Sequence, residues 1–538
     1  MLPVRFTLLL LLVLTSLWGR NGIDSIIPKP QKALSRNGSF TLDRDTLYQS
    51  DTSRSQNALS YLQQHLLRSS GFVLKTSGRS KSVRFHYNPE KIKKAEGYRL
   101  QIDKRGVLIE ARERAGFFYA VITLMQLMDP AVWGAKSGKK EWKIPACTIE
   151  DYPRFHWRGM MLDSSRNFFS RGYIEKFIDR MAQYKLNRFH WHLTDDEGWR
   201  IEIRHYPKLT SIGARRGPGT KLPFSTYPAM RGPKTKMQSG YYTQSDIRKI
   251  VAYAKARSIE ILPEIDIPGH SKAAVTAYPE LLLDPKDGSR YRSVQRVANN
   301  TINPGMESSY RFLDTVISEV SALFPFGYIH LGGDEVPGGA WRKSPAVKRL
   351  MRQKGLKNRR EVQNYFFGRM DKILAKHGKK LAAWQEVLSG KPKLRKSSLI
   401  MAWKSRQAGI DAARRGYPTV MAPVQFLYFD QQYVRAKNEP GHTWSTPVSL
   451  RKTYSFHPIS ASPGSGSRNI RGVQACLWSE TLLNKNIADY LAWPRTFALA
   501  ELAWTNEKER NWNHFEQRVY SSGTKRLKVQ DIHYRKSR

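Results

Sequence analysis

Near the middle of a chain of 538 residues, an apolar run ends in His330-Leu-Gly-Gly-Asp-Glu335, and its two adjacent carboxylates are the first candidates for chemistry. Neighbouring side chains at the end of a strand point in different directions, so Asp334 and Glu335 can take two roles rather than share one proton. Glu335, the longer, can reach a bond to be cleaved as a general acid, while Asp334 holds an adjacent group. The glycines before them remove side chains where a backbone turns tightly or approaches a ligand. A solvated turn is the ordinary meaning of an Asp-Glu pair, but an apolar strand and two glycines argue against it here.

The elements that must position this pair alternate strand and helix. Apolar runs at 158–163, 188–193, 260–266, 328–332, 380–384, 398–403, 419–425 and 472–478 read as eight strands. Helical periodicity follows most of them, as at 173–184, 244–257, 309–323 and 361–377. The pattern predicts an α/β protein with a (β/α)8 TIM barrel over 153–505. Such a barrel carries its chemistry at the C-terminal strand ends. There the sequence places Asp163 with Arg166, then His192, Asp195 and Asp196, then Glu264, Asp266 and His270, then Asp334 and Glu335. Trp384 with Glu386, Trp403, Tyr428 with Asp430, and Trp478 with Glu480 complete the ring. Indoles around carboxylates suit a sugar, whose C–H faces stack on aromatic rings while its hydroxyls need charged partners. Trp384, Trp403, Trp478 and Trp444 are the expected walls.

Ahead of the barrel, strands at 99–102 and 107–110 and an amphipathic helix at 115–128 predict a small α+β domain over 24–150, with 144–155 as the junction. Residues 1–20, with Arg5 and the apolar run 6–13, suit a secretory signal peptide and hence a secreted or extracytoplasmic protein; a retained N-terminal anchor is the alternative. Residues 506–538 read as a basic tail. Two cysteines, Cys147 and Cys476, permit one disulfide at most and are expected as buried thiols. Ninety Lys and Arg against 45 Asp and Glu give a net charge of +45, which invites an anionic polysaccharide or envelope as partner. No nucleic-acid motif accompanies the charge, so nucleic acid is not expected.

The motifs together resemble the family-20 glycoside hydrolases, the β-N-acetylhexosaminidases. The resemblance rests on Arg158-Gly-Met-Met-Leu-Asp-Ser-Ser-Arg166, His190-Trp-His-Leu-Thr-Asp-Asp196, Glu264-Ile-Asp-Ile-Pro-Gly-His270, His330 to Glu335 and Trp478-Ser-Glu480, and it covers about residues 26–505. It implies an exo-acting, retaining enzyme without a cofactor, acting on N-acetylhexosamine-containing glycans. In that chemistry the substrate's own 2-acetamido oxygen is the nucleophile and an oxazolinium ion forms. Glu335 would be the acid and base, which asks for a raised pKa, and Asp334 would hold the acetamido N–H. Tyr428 would bind the acetamido oxygen, and Trp384, Trp403 and Trp478 would enclose the methyl group. Arg166, Asp430 and Glu480 would bind hydroxyls, and His270 with Asp195 would support Glu335. Asn167 departs from the family pattern, which has His after the clamping Arg.

Two rival readings use the same residues. His190, His192, Asp195 and His270 could be drawn as a metal site, since His-x-His on a strand puts both rings on one face. A non-catalytic glycan-binding protein could use the +45 charge alone; the Asp334-Glu335 pair counts against it.

Overall fold

The computed structural model describes residues 22–78, 81–217, 219–222, 238–390, 392–459 and 466–536. The expected signal segment and much of the long loop between 206 and 240 lie outside them. The chain divides into two compact units, one of residues up to 154 with 182–185 and 496–538, the other of 155–181 and 186–495. Among the described residues no helix is long and apolar enough to cross a membrane.

The N-terminal part of the first unit is a six-stranded mixed sheet with two helices, and its C-terminal part is helical. Its strands β1 (Lys32–Asp43), β2 (Leu47–Ser50), β3 (Ser82–Tyr87), β4 (Tyr98–Asp103), β5 (Gly106–Ala111) and β6 (Glu141–Asp151) take the order β1-β6-β4-β5-β3-β2. Helix α1 spans Gln56–Ser70 and α2 spans Arg114–Gln126. The expectation of an amphipathic α2 is corrected, because every residue from Gly116 to Gln126 is buried. A helix apolar all round sits inside a core rather than on its edge.

The boundary between the units, at 154/155, falls inside the expected junction at 144–155, but most of that segment belongs to β6, which pairs with both β1 and β4. Pro145 is tolerated there because it faces Ser39, where the register with β1 shifts. The expected tail is likewise folded. Trp512–Arg518 and Thr524–Val529 are helical, and Phe515, Val519 and Leu527 are fully buried. Its arginines are structural: Arg518 pairs with Glu501 at 2.5 Å, and Arg526 donates to the carbonyls of Ser25 and Gln126. Both cysteines are buried free thiols.

The second unit is the barrel. Strands β7 (Trp157–Asp163), β8 (Arg188–His192), β9 (Glu260–Ile267), β10 (Tyr328–Gly332), β11 (Lys380–Trp384), β12 (Leu399–Ala402), β13 (Thr419–Met421) and β14 (Ile470–Leu477) close into a ring, all parallel and in sequence order. These bounds match the eight apolar runs to within a few residues. Helices α3 (Arg171–Ala182), α4 (Gln244–Ala256), α5 (Glu307–Leu323) and α7 (Arg359–Lys376) follow the expected periodicity, with α6 (Pro345–Lys354) inserted before α7. Asn358 caps α7 from the Glu361 N–H, and Thr243 with Asp246 forms a capping box on α4.

Met161, Leu262, Met401 and Val420 belong to an apolar cluster in the barrel, which also buries polar side chains such as Gln474 and one charged centre. Glu264 of β9 lies 2.6 Å from His192 Nδ1 and 3.1 Å from His190 Nε2, both on β8. Its other oxygen lies 2.7 Å from His330 Nδ1 of β10 and accepts from Trp384 Nε1 of β11 at 3.0 Å. Four consecutive strands thus converge on one carboxylate. Burial alone would push the Glu264 carboxyl up, but His330, His192 and His190 outweigh it and hold the group well below the usual carboxylate range. Against burial, Glu264 and Asp195 raise His192, whereas burial pushes His190 down to about 4.

Glu264→Gln leaves a protonated His192 with less compensating charge in a dry core. It is expected to destabilise the fold by about 3–5 kcal/mol, the scale for breaking a buried pair. The folded-state pKa of Glu264 is depressed, so its contribution is present above the unfolded carboxyl pKa and lost as pH falls through the folded one. Urea unfolding at several pH values should therefore show the largest deficit of the variant near neutrality and a smaller one in acid.

Candidate active site

The strand ends build a pocket of about 170 Å3 lined by Arg166, His270, Asp334, Glu335, Trp403, Tyr428, Asp430, Trp444, Trp478 and Glu480, together with Val294, Gln295 and His442. The glycine pair ahead of the carboxylates has the geometry its position suggested. Gly332 has φ +61°, and a Cβ there would come within 1.7 Å of Asp266 Oδ1. Gly333 has φ +94°, and its Cβ would meet Val387 at 2.5 Å. Glu335 and His270 themselves adopt φ of +43° and +49°, a strained region for residues with side chains and one that clusters at functional sites.

Asp334 is 8 % exposed, and its Oδ1 has no hydrogen-bond partner among the described residues. Burial pushes its carboxyl up to about 8; His270 opposes this, and Glu386, Glu335 and Glu264 add to it. Asp266, deeper still, is raised well above the usual value by burial and by Asp334.

Glu335 keeps 22 % of its side chain exposed and accepts from Gln295 Nε2 at 2.8 Å. His270 Nε2 lies 3.6 Å from the same oxygen, and His270 Nδ1 lies 3.1 Å from Asp195 Oδ1. The expectation of a raised pKa for Glu335 is corrected. Burial does push it up, but the nearby charge of His270 and the hydrogen bond from Gln295 prevail and set it below the usual glutamate value. His270 in turn is raised well above its usual value, because Asp195 overcomes the effect of burial. The proton of this pair therefore resides on the imidazole.

Asp195 lies beneath the pocket rather than on its wall. It joins His270 to His192 Nε2 at 2.8 Å and to Arg166 Nη2 at 2.7 Å, and these cations hold it far below the carboxylate range against burial. Arg166 also reaches Glu197 and Asp163, each at 3.3 Å. Three of its five N–H donors are thus engaged and two remain for a ligand. Its guanidinium lies 5.0 Å from the Trp478 ring. Asn167, the departure from the family pattern, donates to the Ser479 carbonyl at 2.6 Å through its side chain and to Ser479 Oγ through its backbone N–H. Both bonds run from Asn167 as donor, and they tie the end of β7 to the Trp478-Ser-Glu480 segment.

The aromatic box is formed by Trp403 stacked on Tyr428 at 6.1 Å, with Trp444 edge-on to both and Trp478 tilted against Tyr428. Trp384 is corrected from wall to interior: it is fully buried, holds Glu264, and lies behind Trp478 at 6.0 Å between ring centres. Asp430 is pushed up to about 7 by burial, and its Oδ1 has no hydrogen-bond partner among the described residues. Against burial, Arg166 and His442 hold Glu480 down to about 2. Sequence reasoning missed Gln295, His442 and Glu197. The first two come from loops without a recognisable motif, while Glu197 follows directly on the Asp195-Asp196 pair.

The four residues of the metal reading do not form one set. His190 groups with Glu264 and His330, while His270 groups with Asp195 and Asp196. His192 is hydrogen-bonded directly to Glu264 at 2.6 Å and His270 to Asp195 at 3.1 Å, while His190 Nε2 lies 3.1 Å from Glu264. Ligands around an ion at about 2.0–2.1 Å would mostly stand roughly 3.3 Å apart.

Comparison with known proteins agrees with this geometry. Residues 155–507 match the model of the glycosyl hydrolase family 20 catalytic domain, and residues 24–152 match family 20 domain 2. A β-hexosaminidase of Vibrio furnissii is 38 % identical over 478 residues, covering 88 % of this chain and 76 % of that protein. One from Porphyromonas gingivalis is 39 % identical over 445 residues, 82 % of this chain, but the match spans only 55 % of that longer protein. The crystal structure of a Vibrio harveyi exo-β-N-acetylglucosaminidase in complex with N-acetylglucosamine superposes with a TM-score of 0.89 at 38 % identity, covering 96 % of this chain and 78 % of that one. The carboxylate pair, its imidazole support and the aromatic box therefore stand in a chain that belongs to glycosyl hydrolase family 20, as a glycoside hydrolase of the β-N-acetylhexosaminidase type.

Proposed function

We propose that the protein is an exo-acting, retaining β-N-acetylhexosaminidase that releases terminal GlcNAc or GalNAc from glycans or chitooligosaccharides by substrate-assisted catalysis. The observation that carries the reading is the position of the acidic pair. Asp334 offers an unpartnered oxygen inside an aromatic pocket sized for one sugar ring, and Glu335 lies both on that pocket and on an outer cleft. A ring bound inside, with its leaving group outside, puts the glycosidic oxygen beside Glu335. An extracytoplasmic location belongs to the same proposal and is supported by the apolar run at 6–13.

In the first step the acetamido oxygen attacks the anomeric carbon while Glu335 gives a proton to the departing oxygen. The proton held on His270 is 3.6 Å away, and a leaving group covering the exposed part of Glu335 removes water that stabilises its charge. Asp334 accepts from the acetamido N–H and balances the positive charge of the oxazolinium ion. Tyr428 orients the acetamido oxygen, and Trp403 and Trp478 pack on the methyl group and ring. Arg166, Asp430 and Glu480 bind ring hydroxyls. In the second step Glu335 takes a proton from water, which adds at the anomeric carbon and restores its configuration.

Glu335→Gln is expected to lower kcat on p-nitrophenyl GlcNAc by about 10²–10⁴-fold, and full retention of activity would overturn its role. The matching p-nitrophenyl glucoside, which lacks the acetamido nucleophile, should hardly turn over. NMR should show the β-anomer as the first product of the acetamido substrate.

The active form needs ionised Asp334 and protonated Glu335, the reverse of their order of ionisation. The profile of kcat/KM should therefore be bell-shaped, with an acid limb at the lowered Glu335 value and an alkaline limb near 8. In Asp334→Asn, kcat is expected to fall about 10²–10³-fold. Its alkaline limb should move down to the Glu335 value, because only loss of the Glu335 proton then governs the rate. An alkaline limb unmoved by that substitution would contradict the assignment.

A further inference from the structure

The outer cleft that shares Glu335 with the sugar pocket has a volume of about 430 Å3 and is lined by Arg292, Val294, Glu335, the 336–338 backbone, Trp403 and Lys404. Glu335 is its one carboxylate. The cations are not equivalent. Lys404 is bound to Glu386 at 2.9 Å. Arg292 is exposed and donates only to the Arg296 carbonyl, at 3.0 Å, with no carboxylate in ion-pair range among the described residues. Behind the wall, Arg359 Nη1 donates to the carbonyl of the lining residue Val336 at 2.9 Å and likewise has no carboxylate partner among the described residues.

The segment that starts at the cleft wall is more basic than the overall composition explains. From 336 to 360 the chain carries nine Lys and Arg and no Asp or Glu, where its average density would place about four cations and two carboxylates. This segment is anchored on the Arg292 loop: the Lys343 N–H donates to Ser289 Oγ at 2.8 Å, and Trp341 and Val336 belong to a buried cluster against which Tyr291 packs. Gln295, three residues after Arg292, holds Glu335. One loop therefore bears both the hydrogen bond to the acid and, on the outer cleft, a guanidinium with no carboxylate partner among the described residues.

We propose that the leaving-group side of the site is built for an acidic sugar, one that carries a carboxylate paired with Arg292 in the field of Arg359 and the 336–360 segment. The inference rests on the hydrolase reading above and narrows its substrate class to GlcNAc or GalNAc linked to an acidic neighbour. A planar guanidinium without a carboxylate partner suits a carboxylate bidentately, whereas a neutral sugar would leave its charge unpaired.

The test compares kcat/KM for GlcNAc-β-1,4-glucuronate with that for GlcNAc-β-1,4-glucose, which differ in the carboxylate alone. A second pair, GlcNAc-β-1,4-N-acetylmuramic acid against chitobiose, asks whether an ether-linked carboxylate serves as well as a uronate. An acid-to-neutral ratio of roughly five at low ionic strength is expected for at least one pair, falling toward one in 0.5 M salt. Arg292→Gln should bring the ratio to about one, while Lys249→Gln, on exposed α4, should leave it unchanged. A ratio of one or below for both pairs in the wild-type enzyme, or equal loss in both variants, would overturn the inference while the hydrolase reading stands. Failure to hydrolyse p-nitrophenyl GlcNAc would overturn that reading itself, and with it this inference.

Discussion

Everything at the mouth of this barrel depends on one buried carboxylate at its centre. Glu264 accepts from or contacts side chains of three neighbouring strands, β8, β10 and β11, as well as standing on β9 itself. A charge in a buried barrel is tolerated only when polar groups surround it, and here His192 and the Trp384 indole donate to it while the His190 and His330 rings lie within 3.1 Å. The same contacts fix the rings they use. His192, held by Glu264 on one side, presents its other nitrogen to Asp195, and Asp195 in turn holds His270 and Arg166. A chain of charge-assisted contacts thus runs from the barrel core to the acid Glu335.

This chain explains why adjacent carboxylates behave so differently. Asp334 and Glu335 share a turn, yet burial among other carboxyls pushes Asp334 up to about 8 while the neighbouring imidazolium draws Glu335 down. Their environments, not their chemical types, separate the roles. The strained backbone at His270 and Glu335 brings them to this geometry, and Gly332 and Gly333 admit it because a side chain at either would collide with Asp266 or Val387.

The net charge of +45 has more than one structural meaning. In the C-terminal segment Arg518 and Arg526 are buried and spent on Glu501 and on backbone carbonyls. On the 336–360 segment the cations are mostly exposed and unbalanced in sequence, and the segment begins at the leaving-group cleft. A global sum cannot separate these cases. The first is packing and the second is a field that a ligand feels.

The barrel was legible in the sequence because its strands are short apolar runs with helical periodicity between them. Once the strands are placed, the residues just beyond each are known to share one end of the barrel. That argument located Asp334, Glu335, Tyr428, Trp403 and Trp478 by spacing alone. It put Trp384 on the wall, but a strand end does not determine depth, and Trp384 turns inward to Glu264. It gave residues 506–538 no fold, because their charge masks the few apolar positions, Phe515, Val519 and Leu527, that pack. Only the tertiary structure decided that Gln295 meets Glu335 and that the Glu335 proton is drawn to His270. Spacing along a chain determines which residues occupy a strand end; burial and the distance between loops of different strands determine their charge, and those exist only once the ring has closed.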